Sequence, residues 1–103
     1  MAFWTIIGTG MEGDTQGKSF GLTLITDTSK WNVTGPDVDK FFSTRSGKYE
    51  VAGMPENGTQ LVKDGSSEVG FLRGLNGTSP VGDKGKGRAS EKGVNFSWEL
   101  ESK

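Results

Sequence analysis

The sequence predicts a small all-β domain: a single antiparallel β-barrel or β-sandwich of about seven to eight strands with glycine-rich loops. Three observations predict it. Glycine supplies 17 of the 103 residues, and most of it stands between short apolar and β-branched runs, so the chain turns back about every eight to twelve residues. The segment Val94–Glu101 alternates strictly, with Val94, Phe96, Trp98 and Leu100 on one face and Asn95, Ser97, Glu99 and Glu101 on the other. That is the pattern of a strand with one buried and one wet face. Glycine also interrupts most stretches of helical length, which argues against any long amphipathic helix.

The elements follow in order. Phe3–Ile7 is an apolar run stopped by Gly8, and Ser19–Thr26 alternates Phe20, Leu22 and Leu24 against Gly21, Thr23 and Ile25 before Asp27. Lys30–Thr34 carries Trp31 and Val33 and ends at Gly35-Pro36. Val38–Ser43 reads two ways, as a strand or as one turn of helix with Pro36 near its start. Lys48–Ala52 puts Tyr49 and Val51 on one face. Thr59–Lys63, entered through Asn57-Gly58, and Glu68–Arg73 are joined by Asp64-Gly65, and both dipeptides suit the φ > 0 geometry of tight hairpin turns. Val94–Glu101 closes the list. Gly10–Lys18 and Gly82–Gly93 read as long polar loops, the second because nothing in it is larger and apolar than Ala89, which leaves it unable to pack.

Bulk properties narrow the function. A chain of 103 residues makes one domain, residues 1–103, because a second core could not be closed with what the first leaves over. Each buried Phe or Leu contributes about 1.5–3 kcal/mol, and roughly a dozen such positions hold a marginal domain. The formal charge is −1 and neither half is a basic arm or acidic tail, which argues against a dedicated binder of nucleic acid or anionic membrane. Without cysteine there is no disulfide framework, thiolate nucleophile or Cys-type zinc site. Without histidine the commonest general base and transition-metal ligand are missing together. The expectation is a non-enzymatic protein with no cofactor and no metal. The opening Met1–Ile7 lacks a basic n-region and is cut short at Gly8, so no signal peptide or membrane span is expected, and the chain reads as soluble.

Few motifs survive inspection. Gly8-Thr9-Gly10-Met11-Glu12-Gly13 matches G-x-G-x-x-G after an apolar strand, but the helix that a dinucleotide site requires cannot form across Gly13 and Gly17. Asn32, Asn57, Asn76 and Asn95 all stand in N-x-[ST], a pattern that turn and strand chemistry explains as well as glycosylation does. Asp37 and Asp39 make only a fragment of the oxygen cage a calcium ion needs.

What remains is a binding module. Trp4, Trp31, Tyr49 and Trp98 are the side chains able to stack on a sugar or anchor in a partner. Trp98 belongs to the core by its alternation, whereas Trp31, between Lys30 and Asn32 with little apolar support, is expected to be exposed. The expected ligand-binding set is Trp31, Asn32, Tyr49 and Arg73, and the expected ligand is a carbohydrate or a protein surface. The alternative is an acidic partner or nucleic acid held by Lys84, Lys86 and Arg88 in the Gly82–Gly93 loop. A third reading is a structural or assembly subunit, for example of a virus particle, working as a homo-oligomer.

Overall fold

The computed structural model describes residues 3–52 and 58–103. Its strands are β1 (Phe3–Gly10), β2 (Ser19–Ile25), β3 (Lys30–Thr34), β4 (Ser46–Ala52), β5 (Thr59–Asp64), β6 (Ser67–Arg73), β7 (Lys84–Ala89) and β8 (Val94–Ser102). Each runs antiparallel to its neighbours in chain order, and β8 pairs back onto β1 to close a barrel. Of the two architectures the sequence allows, the barrel is the one formed, and closure leaves no edge strand. The register shifts once between β1 and β8, at Thr5/Ile6, and once between β5 and β6, at Val62/Lys63. Of the two expected hairpin dipeptides, Asp64-Gly65 joins β5 to β6 with Gly65 at positive φ, while Asn57 lies outside the described residues.

One open reading is resolved and one expectation is overturned. Of the two readings of Val38–Ser43 the helical turn is the one formed: Val38–Lys40 makes a single 3-10 turn, and Phe41 and Phe42 after it are fully buried. The Gly82–Gly93 segment is not a loop, because its centre is β7. The reason lies in what faces inward. Gly85, Gly87 and Ala89 point into the barrel, opposite Trp98, Phe96 and Val94 of β8, so the buried side of β7 is lined by missing side chains whose volume its neighbour supplies. A strand of that kind carries no hydrophobic alternation to read.

The same device sets both buried tryptophans. Trp31, on β3, reaches past Gly47 of β4 and donates its indole N–H to the Lys63 carbonyl of β5 at 2.9 Å. Trp98, on β8, reaches past Gly85 of β7 to the Arg73 carbonyl of β6 at 3.0 Å and to the Lys86 carbonyl at 3.2 Å. A Cβ on Gly47 would stand 2.9 Å from the Trp31 Nε1, and one on Gly85 would stand 2.5 Å from the Trp98 ring and 2.6 Å from the Arg73 oxygen. Each indole thus fills the volume of an absent side chain one strand away and satisfies its own buried donor there. Trp31 is only 1% exposed, which corrects the expectation of a surface aromatic: its apolar support comes from across the barrel and not from its chain neighbours.

One end of the barrel is sealed. Phe20 sits at its centre, with ring centroids 4.6 Å from Phe41, 5.3 Å from Phe42 and 5.0 Å from Phe96. The segment that delivers Phe41 and Phe42 is tied down from the β7–β8 turn. Glu91 accepts the Ser43 and Thr44 amides at 3.1 and 3.0 Å and the Thr44 hydroxyl at 2.8 Å. Desolvation works against the ionised Glu91, but these hydrogen bonds, with Lys92 nearby, outweigh it and hold the carboxyl below its ordinary range. A depressed native pKa gives stability that is complete above the unfolded value, about 4.3, and is lost as pH falls through the native one. Glu91→Gln should therefore cost about 0.5–1 kcal/mol at neutral pH, a modest figure because the site is exposed. At pH 2 it should cost almost nothing. Urea midpoints at the two pH values check this, and an equal loss at both would mean that the charge is not the source.

Candidate ligand site at the barrel mouth

The opposite end, where β1 begins and β8 finishes, is built differently. Here β2 turns into β3, and residues 74–83 carry β6 over to β7. That connection folds inward: Leu75 is fully buried and its carbonyl accepts the Gln60 side-chain amide at 3.1 Å. The segment is internally braced. The Asn76 amide donates to the Ser79 hydroxyl at 3.0 Å, and the Asn76 Oδ1 accepts the Thr78 amide at 2.9 Å and its hydroxyl at 2.6 Å, the local bonding that favours Asn and Ser in turns. Among the described residues the mouth is thus covered on one side by a shaped loop and open on the other.

On the open side inward positions of four strands, β1, β2, β4 and β5, meet. Trp4 pairs with Leu24, and Val51 pairs with Gln60 one step beyond the Tyr49–Val62 pair. Trp4, Leu24, Tyr49, Val51 and Gln60, with Thr26, Asn76 and Gly77, line a cavity of about 270 Å³. Val51 shares its inward parity with Tyr49 and yet is 63% exposed. Among the described residues, this exposed inner-face valine, lining the same cavity as Trp4 and Tyr49, marks where the barrel interior is accessible from outside.

The polar groups of the mouth are fixed. Burial, and secondarily the Asp27 carboxylate, push the Tyr49 hydroxyl above its ordinary pKa, so it stands as a neutral phenol able both to donate and to accept. Lys103 lies with its ammonium 5.1 Å from the Trp4 ring centroid and donates to the Ser79 carbonyl at 2.8 Å. This joins the end of β8 to the covering loop and adds a cation–π contact to Trp4. The arrangement offers two aromatic surfaces, an aliphatic wall and amide and hydroxyl groups at the rim. Among the described residues its lining holds no carboxylate pair, and no cluster of three acidic side chains that could hold a metal ion is found.

The sequence-derived residues are dispersed. Trp31 is in the core. Asn32 pairs with Thr23 and Ser46 away from the cavity, and Arg73 stands exposed on the outer wall opposite Lys86. Of the expected ligand set only Tyr49 reaches the mouth, where Trp4, one of the four aromatics singled out from sequence, joins it. Gln60 and Asn76 had no local signal, since one is made interior by barrel closure and the other by the fold of a loop. Lys84, Lys86 and Arg88 alternate along β7 and face outward. Lys84 makes a 3.7 Å ion pair with Glu99, and Arg88 donates to the Asn95 side chain at 2.9 Å.

A larger depression, about 570 Å³, lies on the outer wall between Ile7, Thr9, Lys84, Ser97 and Glu99. The Trp98 that borders it has its ring turned into the core, and its charges are mixed and partly paired. The mouth is smaller but is the place where ring faces and polar groups converge. No helix among the described residues is long and apolar enough to cross a membrane. Compared with known family models, curated proteins and solved structures, the chain matches none.

Proposed function

We propose that this protein is a non-catalytic binding module that receives one small ring-shaped unit, a single sugar residue, in the barrel mouth. The observation that supports this reading is the accessible inner face, with Trp4 and Tyr49 lining a cavity of about 270 Å³. That volume falls just below the range of drug-sized pockets, roughly 300–1,000 Å³, and suits one pyranose ring better than an extended ligand. A sugar has an apolar face for an indole or phenol and a rim of hydroxyls for amide and hydroxyl partners, which is the mixture the mouth displays. Rigid β-walls and a braced loop mean that little ordering entropy is lost on binding.

Amide and side-chain NMR titrations with the methyl glycosides of glucose, galactose, mannose and N-acetylglucosamine test the proposal. At least one should shift the resonances of Trp4, Tyr49 and Asn76 with affinity in the millimolar range, about −4 kcal/mol. Tyr49→Phe should weaken that glycoside severalfold, the loss of one hydrogen bond, and Trp4→Leu should abolish its binding. Shifts elsewhere, or none with any of the four, would sink the sugar reading.

A further inference from the structure

The outer wall of β6 and β7 has a property unrelated to the mouth. Phe71 stands opposite Arg88 and Arg73 opposite Lys86, so two adjacent rows carry three cations and one aromatic ring. The rows continue onto β8 as Asn95 beside Arg88 and Ser97 beside Lys86, polar but uncharged. The Arg73 guanidinium carbon lies 5.3 Å from the Phe71 ring centroid, and Arg88 is positioned by its bond to Asn95. Among the described residues none of these three cations has a carboxylate within ion-pair distance, in contrast to Lys63 with Glu50 and Lys84 with Glu99. Like charges directly opposite on neighbouring strands destabilise a sheet, and Arg73 faces Lys86 with the Phe71 ring beside it and no carboxylate in ion-pair reach.

Between the rows the wall is concave. Met11, Phe71, Arg73, Lys86 and Asn95, with the Gly87 backbone, bound a depression of about 320 Å³. The floor is apolar and the rim cationic, with Met11 43% exposed at one side. That is room for one flat ring against Phe71, with anionic groups on either side of it within reach of the cations.

We infer that this wall binds single-stranded nucleic acid, with one base against Phe71 and the flanking phosphates on Arg73, Lys86 and Arg88. An aromatic platform flanked by cations serves this ligand, because every base has a ring face and every linkage a charge. A net charge of −1 does not oppose it. Screening confines attraction to about 8 Å at physiological salt, so the local cluster governs contact and the distant acids do not. An acidic polypeptide would meet the charges but leave the aromatic floor unused.

The test is fluorescence anisotropy of a labelled oligouridylate of about twelve nucleotides, titrated with the full chain across a series of salt concentrations. With three phosphates neutralised, log K should fall against log salt with a slope of about −2. Arg73→Gln/Lys86→Gln, on exposed positions that leave the fold intact, should weaken binding more than tenfold at low salt and reduce the slope to about −0.7. Phe71→Leu keeps the apolar contact and removes the ring, and should weaken binding about tenfold with the slope unchanged. Absence of binding at low salt overturns the inference. So does displacement by an equally charged polyglutamate peptide whose affinity is the same for Phe71→Leu, which would assign the wall to acidic proteins. Neither result bears on glycoside binding at the mouth.

Discussion

Gly47→Ala and Gly85→Ala should each destabilise the barrel by about 3–5 kcal/mol, most of the stability a domain of this size holds. The added Cβ has nowhere to go. At Gly47 it meets the Lys63 carbonyl and the Trp31 Nε1, and at Gly85 the Arg73 carbonyl and the Trp98 ring. A backbone carbonyl in a barrel cannot retreat without opening the neighbouring pair, so the substitution strains that pairing and also displaces the indole bonded to the carbonyl. Its N–H is then buried without a partner, which adds a desolvation cost of about 1–3 kcal/mol to the steric one. Urea unfolding followed by tryptophan fluorescence measures the loss. Gly77→Ala is the control: no atom lies within 4 Å of its added Cβ and its φ is not positive, so it should stay within about 0.5 kcal/mol of the parent. If Gly85→Ala melts with Gly77→Ala, the indole-through-glycine arrangement is not what holds the wall.

These glycines also explain what could and could not be seen in the sequence. Where a strand buries its own bulk, as at Phe20-Leu22-Leu24 and Val94–Leu100, alternation gave the element and its inner face correctly. Where the bulk belongs to a partner strand, as at Gly85-x-Gly87, the same chain looked like a polar loop, because periodicity is a property of side chains and these have none. Trp31 was misplaced for a related reason: Lys30 and Asn32 point away from it, and its true surroundings come from β4 and β5. Val38–Phe42 has the apolar content of a strand, but its φ/ψ start is set by Pro36-Asp37, and the turn drops two phenylalanines into the barrel end. The mouth was legible only in fragments, since Tyr49 and Val51 share a face by local rule and Gln60 joins them by the β4–β5 pairing, whereas Trp4 and Asn76 join only once the barrel has closed and the 74–83 loop has folded inward.

Phe20→Ala is the second large expected effect. Its ring is 2% exposed and is the shared neighbour of Phe41, Phe42 and Phe96, so truncation leaves a cavity that three rings cannot collapse into, at a cost of about 3–5 kcal/mol. The tip of this ring occupies the place of the Cβ that Gly8 lacks, with Phe20 Cε1 2.5 Å from that position. Gly8→Ala alone should therefore cost about 1–3 kcal/mol through forced displacement of the ring. In a Phe20→Leu background, where the ring tip is gone, the same alanine should be close to neutral and fill part of the vacated space. The cycle should thus show a favourable coupling of about 1–2 kcal/mol. Independent, additive losses would mean that Gly8 is required by its backbone and not by the aromatic it faces. Gly47 provides the contrast within the same barrel: its closest obstacle is the Lys63 backbone oxygen, so no truncation of Trp31 should rescue Gly47→Ala.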